Sequence, residues 1–159
     1  MSDAPTTLST TRVTRLIKAP RAAVYRAFVD PDLVAAWMSP PTMRCHVHTF
    51  DARPGGEFRV SLTYEDPASA GLGKSSASTD SYHGRFIELV PDQKIVEVLE
   101  FETADPALQG QMTIAVLLAD APGGTEVTAV HQDLPPGLRP ADNELGWTES
   151  LAKLAVLLE

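Results

Sequence analysis

The chain has a single cysteine, Cys45, in 159 residues, so no disulfide forms within it. A fold of this length must then be held by burial, and a lone thiol suits a reducing compartment. Basic residues are scarce beside acidic ones, 13 against 21, which leaves a formal net charge of −8. No local Lys/Arg cluster offsets that deficit, so neither a nucleic acid nor an anionic membrane surface is an expected partner. No uncharged apolar run approaches the roughly 20 residues of a membrane span. The first ten residues lack the basic start and apolar stretch of a secretion signal, and the expectation is a cytoplasmic protein. A Gly-x-Ser-x-Gly elbow, a Cys-x-x-Cys pair and a dinucleotide fingerprint are all missing, so hydrolase, redox and nucleotide chemistry have no positive case. Arg53-Pro54-Gly55-Gly56 lacks the Lys-Ser/Thr of a phosphate loop and leads into a strand, so it reads as a turn.

What is present is a 43% hydrophobic share with 21% charged residues, the balance of an ordinary globular domain. Residues 1–10 are polar and read as a disordered tail, leaving one domain over 11–159. Thr11 to Lys18 is rich in β-branched residues and stops at Ala19-Pro20, which predicts a strand. Pro20 suits the first turn of a helix carrying Val24, Ala27 and Phe28, and Pro31 opens a second with Leu33, Val34 and Trp37. Six more strands are expected: Met43–Asp51, Glu57–Glu65, Tyr82–Val90, Lys94–Glu102, 111–119 and 125–132. In Glu57–Glu65, Phe58, Val60, Leu62 and Tyr64 alternate with polar residues, the mark of a strand with one buried face. Residues 66–80 are rich in Ser, Ala and Gly and read as a loop. Asp142 or Asn143 is expected to cap a last helix whose Trp147, Leu151, Leu154, Ala155 and Leu158 make one apolar stripe.

Here the ordered residues resemble a known family. Ala19-Pro20, Val24-Tyr25, Ala27-Phe28, Asp30-Pro31 and Trp37 are followed by Arg53-Pro54-Gly55-Gly56-Glu57-Phe58 and by Gly84-Arg85-Phe86-Ile87-Glu88-Leu89-Val90-Pro91. Gly124-Thr125-Glu126-Val127-Thr128 and Gly146-Trp147 with Leu151 and Leu154 complete the set. The pattern is similar to the SRPBCC or START-like superfamily and, within it, to bacterial homologues of the activator of the heat-shock-protein-90 ATPase. The resemblance implies an α+β helix-grip fold: a seven-stranded curved antiparallel sheet, two short helices near the N-terminus, and a long C-terminal helix enclosing a cavity. It implies no particular reaction and no cofactor, and a chaperone partner only through the family name.

A cavity of that kind makes a set of residues candidates for ligand contact: Trp37, Phe58, Val60, Leu62, Tyr64, Phe86, His131, Trp147, Leu151 and Leu154. Their chemistry suits a small hydrophobic or amphipathic molecule, with His131 as a polar contact that alternation turns inward. No catalytic residue is assigned. The alternative is a cyclase- or hydratase-type enzyme using His131 or Glu88 as acid or base, or a chaperone-associated interaction protein. Glu88 alternates with inward Phe86, but Ile87 and Leu89 leave that register ambiguous and a solvated Glu is expected. His46 and His48 share one strand face without a third ligand at recognisable spacing, so no metal site is expected. Sheet edges and the 66–80 loop leave a homodimer open.

Overall fold

The computed structural model describes residues 8–39, 41–65 and 78–159. Its elements run β1 (Ser9–Ile17), α1 (Arg21–Val29), α2 (Pro31–Trp37), β2 (Met43–Phe50), β3 (Glu57–Tyr64), β4 (Thr79–Val90), β5 (Lys94–Phe101), β6 (Met112–Ala121), β7 (Gly124–Leu134) and α3 (Pro140–Leu158). The strands form one antiparallel sheet in the order β1-β7-β6-β5-β4-β3-β2, so the two short helices carry the chain from one edge of the sheet to the other. This is the helix-grip architecture. Among the described residues no helix is long and apolar enough to cross a membrane.

Local chemistry explains the boundaries. At the close of α1 the Ala27 carbonyl would normally accept from residue 31, but Pro31 has no N–H. The Trp37 indole N–H fills that vacancy at 2.9 Å, so one side chain both plugs the core and finishes a helix. Asp30 caps α2 by accepting from the Asp32 amide at 2.9 Å. The β6–β7 hairpin turns on Pro122-Gly123, with Gly123 at φ +84° where a side chain would be strained. The next residue is confined differently: a Cβ on Gly124 would sit 2.1 Å from the Ile17 carbonyl oxygen of β1. Gly124→Ala is therefore expected to destabilise the fold by about 1–3 kcal/mol. A urea midpoint unchanged from wild type would refute that close approach.

Several expectations shift. β1 begins at Ser9, so Ser9 and Thr10 are strand rather than tail, and residues 1–7 lie outside the described residues. β4 begins at Thr79, which takes Thr79 and Asp80 out of the expected loop, since they pair with Thr63 and Leu62. The remaining loop positions 66–77 lie outside the described residues. The last helix starts at Pro140, because proline at the first helical position is favourable, and neither Asp142 nor Asn143 caps it. Asn143 instead donates its side-chain amide to Thr11 Oγ1 at 2.8 Å, tying α3 to β1.

The core lies between the concave sheet face and the helices. Val24, Ala27 and Phe28 of α1, Trp37 of α2, and Leu151, Leu154 and Ala155 of α3 are all buried there. They meet inward residues of the sheet such as Ile95, Val116 and Val127. Phe50, Phe58 and Phe86 pack as a ring cluster, with centroids 5.4 and 5.2 Å from Phe86. The residues Ile87 and His48 interrupt the pairing of β4 and β2 as bulges. The bulge at Ile87 resolves the doubtful register. Phe86 points inward, Ile87 is 44% exposed, and Glu88 turns outward to an ion pair with Lys94 at 3.1 Å.

Candidate functional site

The sheet and α3 do not close on each other along their whole length. Towards the start of α3 they part around a hollow of about 430 Å³. Leu62, Tyr64, Tyr82, Leu99, Phe101 and Ile114 supply much of its wall from the sheet. Met38 and Met43 add flexible apolar surface beyond α2, and Gly146 and Trp147 face it from α3. Gly146 brings no side chain to that wall beside the Trp147 indole. Leu138–Asn143 lies at the rim, with Arg139 and Asp142 exposed.

Of the ten residues named from the sequence, the structure brings four to this hollow: Leu62, Tyr64, His131 and Trp147. Trp37, Phe58, Val60, Phe86, Leu151 and Leu154 are instead buried in the core away from its lining. The physical reason is where the helices cover the sheet rather than the alternation pattern. Inward residues at one end of the sheet are covered by α1, α2 and the later turns of α3, and only the other end stays uncovered. Glu88 is outside altogether. His46 and His48 lie exposed on edge strand β2, their rings 4.4 Å apart, and His48 Nε2 meets Ser61 Oγ at 2.8 Å. Among the described residues no group of three His, Cys, Asp or Glu side chains is arranged to hold a metal ion.

Two ionisable groups stand out on the concave face, and the sheet register places them in one row. Thr11 pairs with His131, His131 with Ile114, Ile114 with Glu97, and Glu97 with Phe86. With strands about 4.8 Å apart, Glu97 and His131 stand on the order of 10 Å apart at the backbone, flanking Ile114. His131 is 1% exposed and meets Trp147 edge-on at 4.7 Å between centroids. Neither of its ring nitrogens has a hydrogen-bond partner among the described residues. Burial disfavours the imidazolium and pulls its pKa down to about 4, so the ring is neutral at ordinary pH.

Glu97 has the opposite displacement. Part of its surface opens on the hollow, but protein surrounds the rest, and this desolvation lifts its carboxyl to about 7. Among the described residues no hydrogen bond or ion pair satisfies it. Tyr82, beside it, is also raised well above its ordinary value, first by burial and then by the charges of Cys45 and Glu97. Sequence reasoning missed Glu97, although a signal existed: it shares parity with Ile95, Leu99 and Phe101, all turned inward. Val96 and Val98 make the other face of β5 apolar too, which hid that parity. Asp80, also in the lining, closes the Ser/Ala/Gly-rich stretch that reads as loop, so its composition hides its place in β4.

The family model described as "Activator of Hsp90 ATPase homolog 1-like protein" matches residues 18–159. The chain belongs to that family. The match runs from the end of β1 through α3 and so takes in every wall of the hollow. A crystal structure of a Chromobacterium violaceum protein is 33% identical, with a TM-score of 0.83 over 94% of this chain and 96% of that one. A Nitrosomonas europaea protein is 25% identical, with a TM-score of 0.69 over 94% and 93% of the two chains. A Silicibacter pomeroyi protein bearing the family name AHSA1 shares the fold at 19% identity, with a TM-score of 0.75 over 94% and 97%. Among curated proteins, none matches.

Proposed function

We propose that this family member is a small-molecule binding protein whose ligand, largely apolar, occupies the hollow between the sheet and the first turns of α3. The observation that carries the reading is the hollow itself, about 430 Å³ with mostly apolar and aromatic walls and two polar side chains, Glu97 and His131, that lack protein partners. That volume is within the range of ligand pockets, and a few polar groups among apolar walls fix orientation while buried area supplies the affinity. An acid–base reaction in the same place would fall to Glu97 and His131 rather than to Glu88, which is ion-paired on the outer face.

The test is native mass spectrometry of protein from its own host, followed by a thermal-shift screen of lipids, aromatic polyketides and hormones. A binder raises the melting temperature with the logarithm of its concentration, worth about 2.7 kcal/mol at a hundredfold excess over Kd. Leu62→Trp, which adds bulk to the wall, is expected to fold and to lose that shift. A clean apo mass with no shift in any apolar class would remove the binding reading. An equal shift in Leu62→Trp would move the site out of the hollow.

A further inference from the structure

The polar end of the hollow narrows the chemistry of its occupant, and the argument rests on the reading that the hollow binds a small molecule. Glu97 and His131 flank Ile114 in one cross-strand row, both line the hollow, and neither has a partner among the described residues. We infer that the occupant is an uncharged apolar molecule bearing a hydroxyl, seated with that hydroxyl between Glu97 and His131, and that Glu97 takes up a proton as it binds.

Solvation of Glu97 limits what can sit beside it. An apolar body placed against Glu97 shuts off the open side through which its carboxylate is solvated. A carboxylate so enclosed needs either a cation or a proton. Its displacement to about 7 in the unliganded hollow means that the proton is already close at hand.

His131 decides between those two. A neutral imidazole presents one N–H donor and one bare nitrogen acceptor, and both positions are buried without partners. A hydroxyl can accept from the protonated Glu97 and donate to the ring, or accept from the ring N–H. A hydroxyl can therefore meet either ring nitrogen and accept from the protonated Glu97 as well, whereas an ammonium, a donor only, can meet just the bare nitrogen. A ligand carboxylate would bring a third acid beside Glu97 and Asp80. Reaching the ring also parts it from Trp147, whose indole meets it edge-on and is only half-buried.

The other titratable groups around Glu97 are Tyr82 and Asp80 on β4, His131 on β7, and Tyr64 on β3. Arg139 and Asp142 line the same hollow at the start of α3, and Cys45, whose charge acts on Tyr82, has its thiol pushed up to about 11 by burial. A Glu97 variant separates its titration from all of these.

The experiment is isothermal titration calorimetry of the full chain between pH 6 and 8.5, in two buffers of different ionisation heat. Three probes share one ring system: 2-naphthol, naphthalene and 1-naphthylmethylamine. The expected result is that 2-naphthol binds with a proton uptake that rises towards one per ligand at the alkaline end. Its affinity should fall by up to about tenfold per pH unit above pH 7. Naphthalene should bind more weakly, and Glu97→Gln should bind 2-naphthol with no proton uptake and a flat pH profile. Proton uptake that is absent, or that persists in Glu97→Gln, overturns the inference and leaves the hollow a binding site. Preference for the amine, strengthening with pH in a Glu97-dependent way, overturns it in favour of an organic cation. No heat and no thermal stabilisation with any of the three overturns the inference together with the reading it rests on.

Discussion

Trp37→Ala is expected to cost about 3–5 kcal/mol of stability, the range for deleting a large buried aromatic side chain. Trp37 is fully buried, and its ring packs edge-on against Phe28 at 4.7 Å and lies 6.4 Å from Trp147. Two losses add. The cavity left by the indole removes contacts from α1 and α3 together, and the Ala27 carbonyl is orphaned because Pro31 offers no N–H in its place. Trp37→Phe separates them: it keeps most of the ring but not the donor, and should cost about 1–3 kcal/mol, the penalty for an unsatisfied buried acceptor. Urea unfolding of both variants measures the pair. A cost below about 1 kcal/mol for Trp37→Ala would mean that α2 does not depend on the core for its position.

Glu97→Gln should act in the opposite direction and only at one end of the pH range. The carboxyl is raised from 4.5 to about 7 by burial, so the folded state disfavours its ionised form. Below about pH 4.5 the group is protonated whether folded or not, and it costs nothing. The cost grows as pH rises from there to about 7 and is constant above, at about 2–3 kcal/mol once its partly open side is allowed for. Glutamine carries no charge at any of these values. The variant should therefore unfold at higher urea than wild type at pH 8 and at nearly the same urea at pH 4. A gain of equal size at both values would trace the effect to packing instead of ionisation. Such a stabilising substitution would also mark Glu97 as a residue kept at some cost to the fold, which is the usual condition of a residue kept for its site.

The fold was legible because its signals are local. Period-two alternation in Phe58, Val60, Leu62 and Tyr64, prolines at 20 and 31, and turn residues at Pro122-Gly123 each act within a few residues and agree with one another. Boundaries were less legible. Ser9 and Thr79 are polar residues that become strand because neighbouring strands offer them partners, and a partner is not a property of the segment itself. At α3 the proline rule outweighed the capping side chains, and Asn143 was free to bond Thr11 across 132 positions of chain.

The site was half legible. Inward direction follows from alternation, which is why His131 and Leu62 could be picked out. Inward direction does not say whether a residue ends in packed core or in open space, and so Phe58, Phe86 and Leu154 could not be told from Tyr64 and Trp147. Glu97 shows the same limit from the other side. Its strand is apolar on both faces, so only pairing with Phe86 and Ile114 reveals which way it turns.

The sequence alone thus determined the family, the seven strands, the three helices and the concave apolar face, because periodicity, turns and caps are written in short segments. The tertiary structure decided where α3 stops covering that face, which side chains border the gap, and that an acid and an imidazole 34 positions apart in sequence flank one isoleucine. Those depend on how layers meet, and the desolvation that moves Glu97 and His131 in opposite directions exists only once they have met.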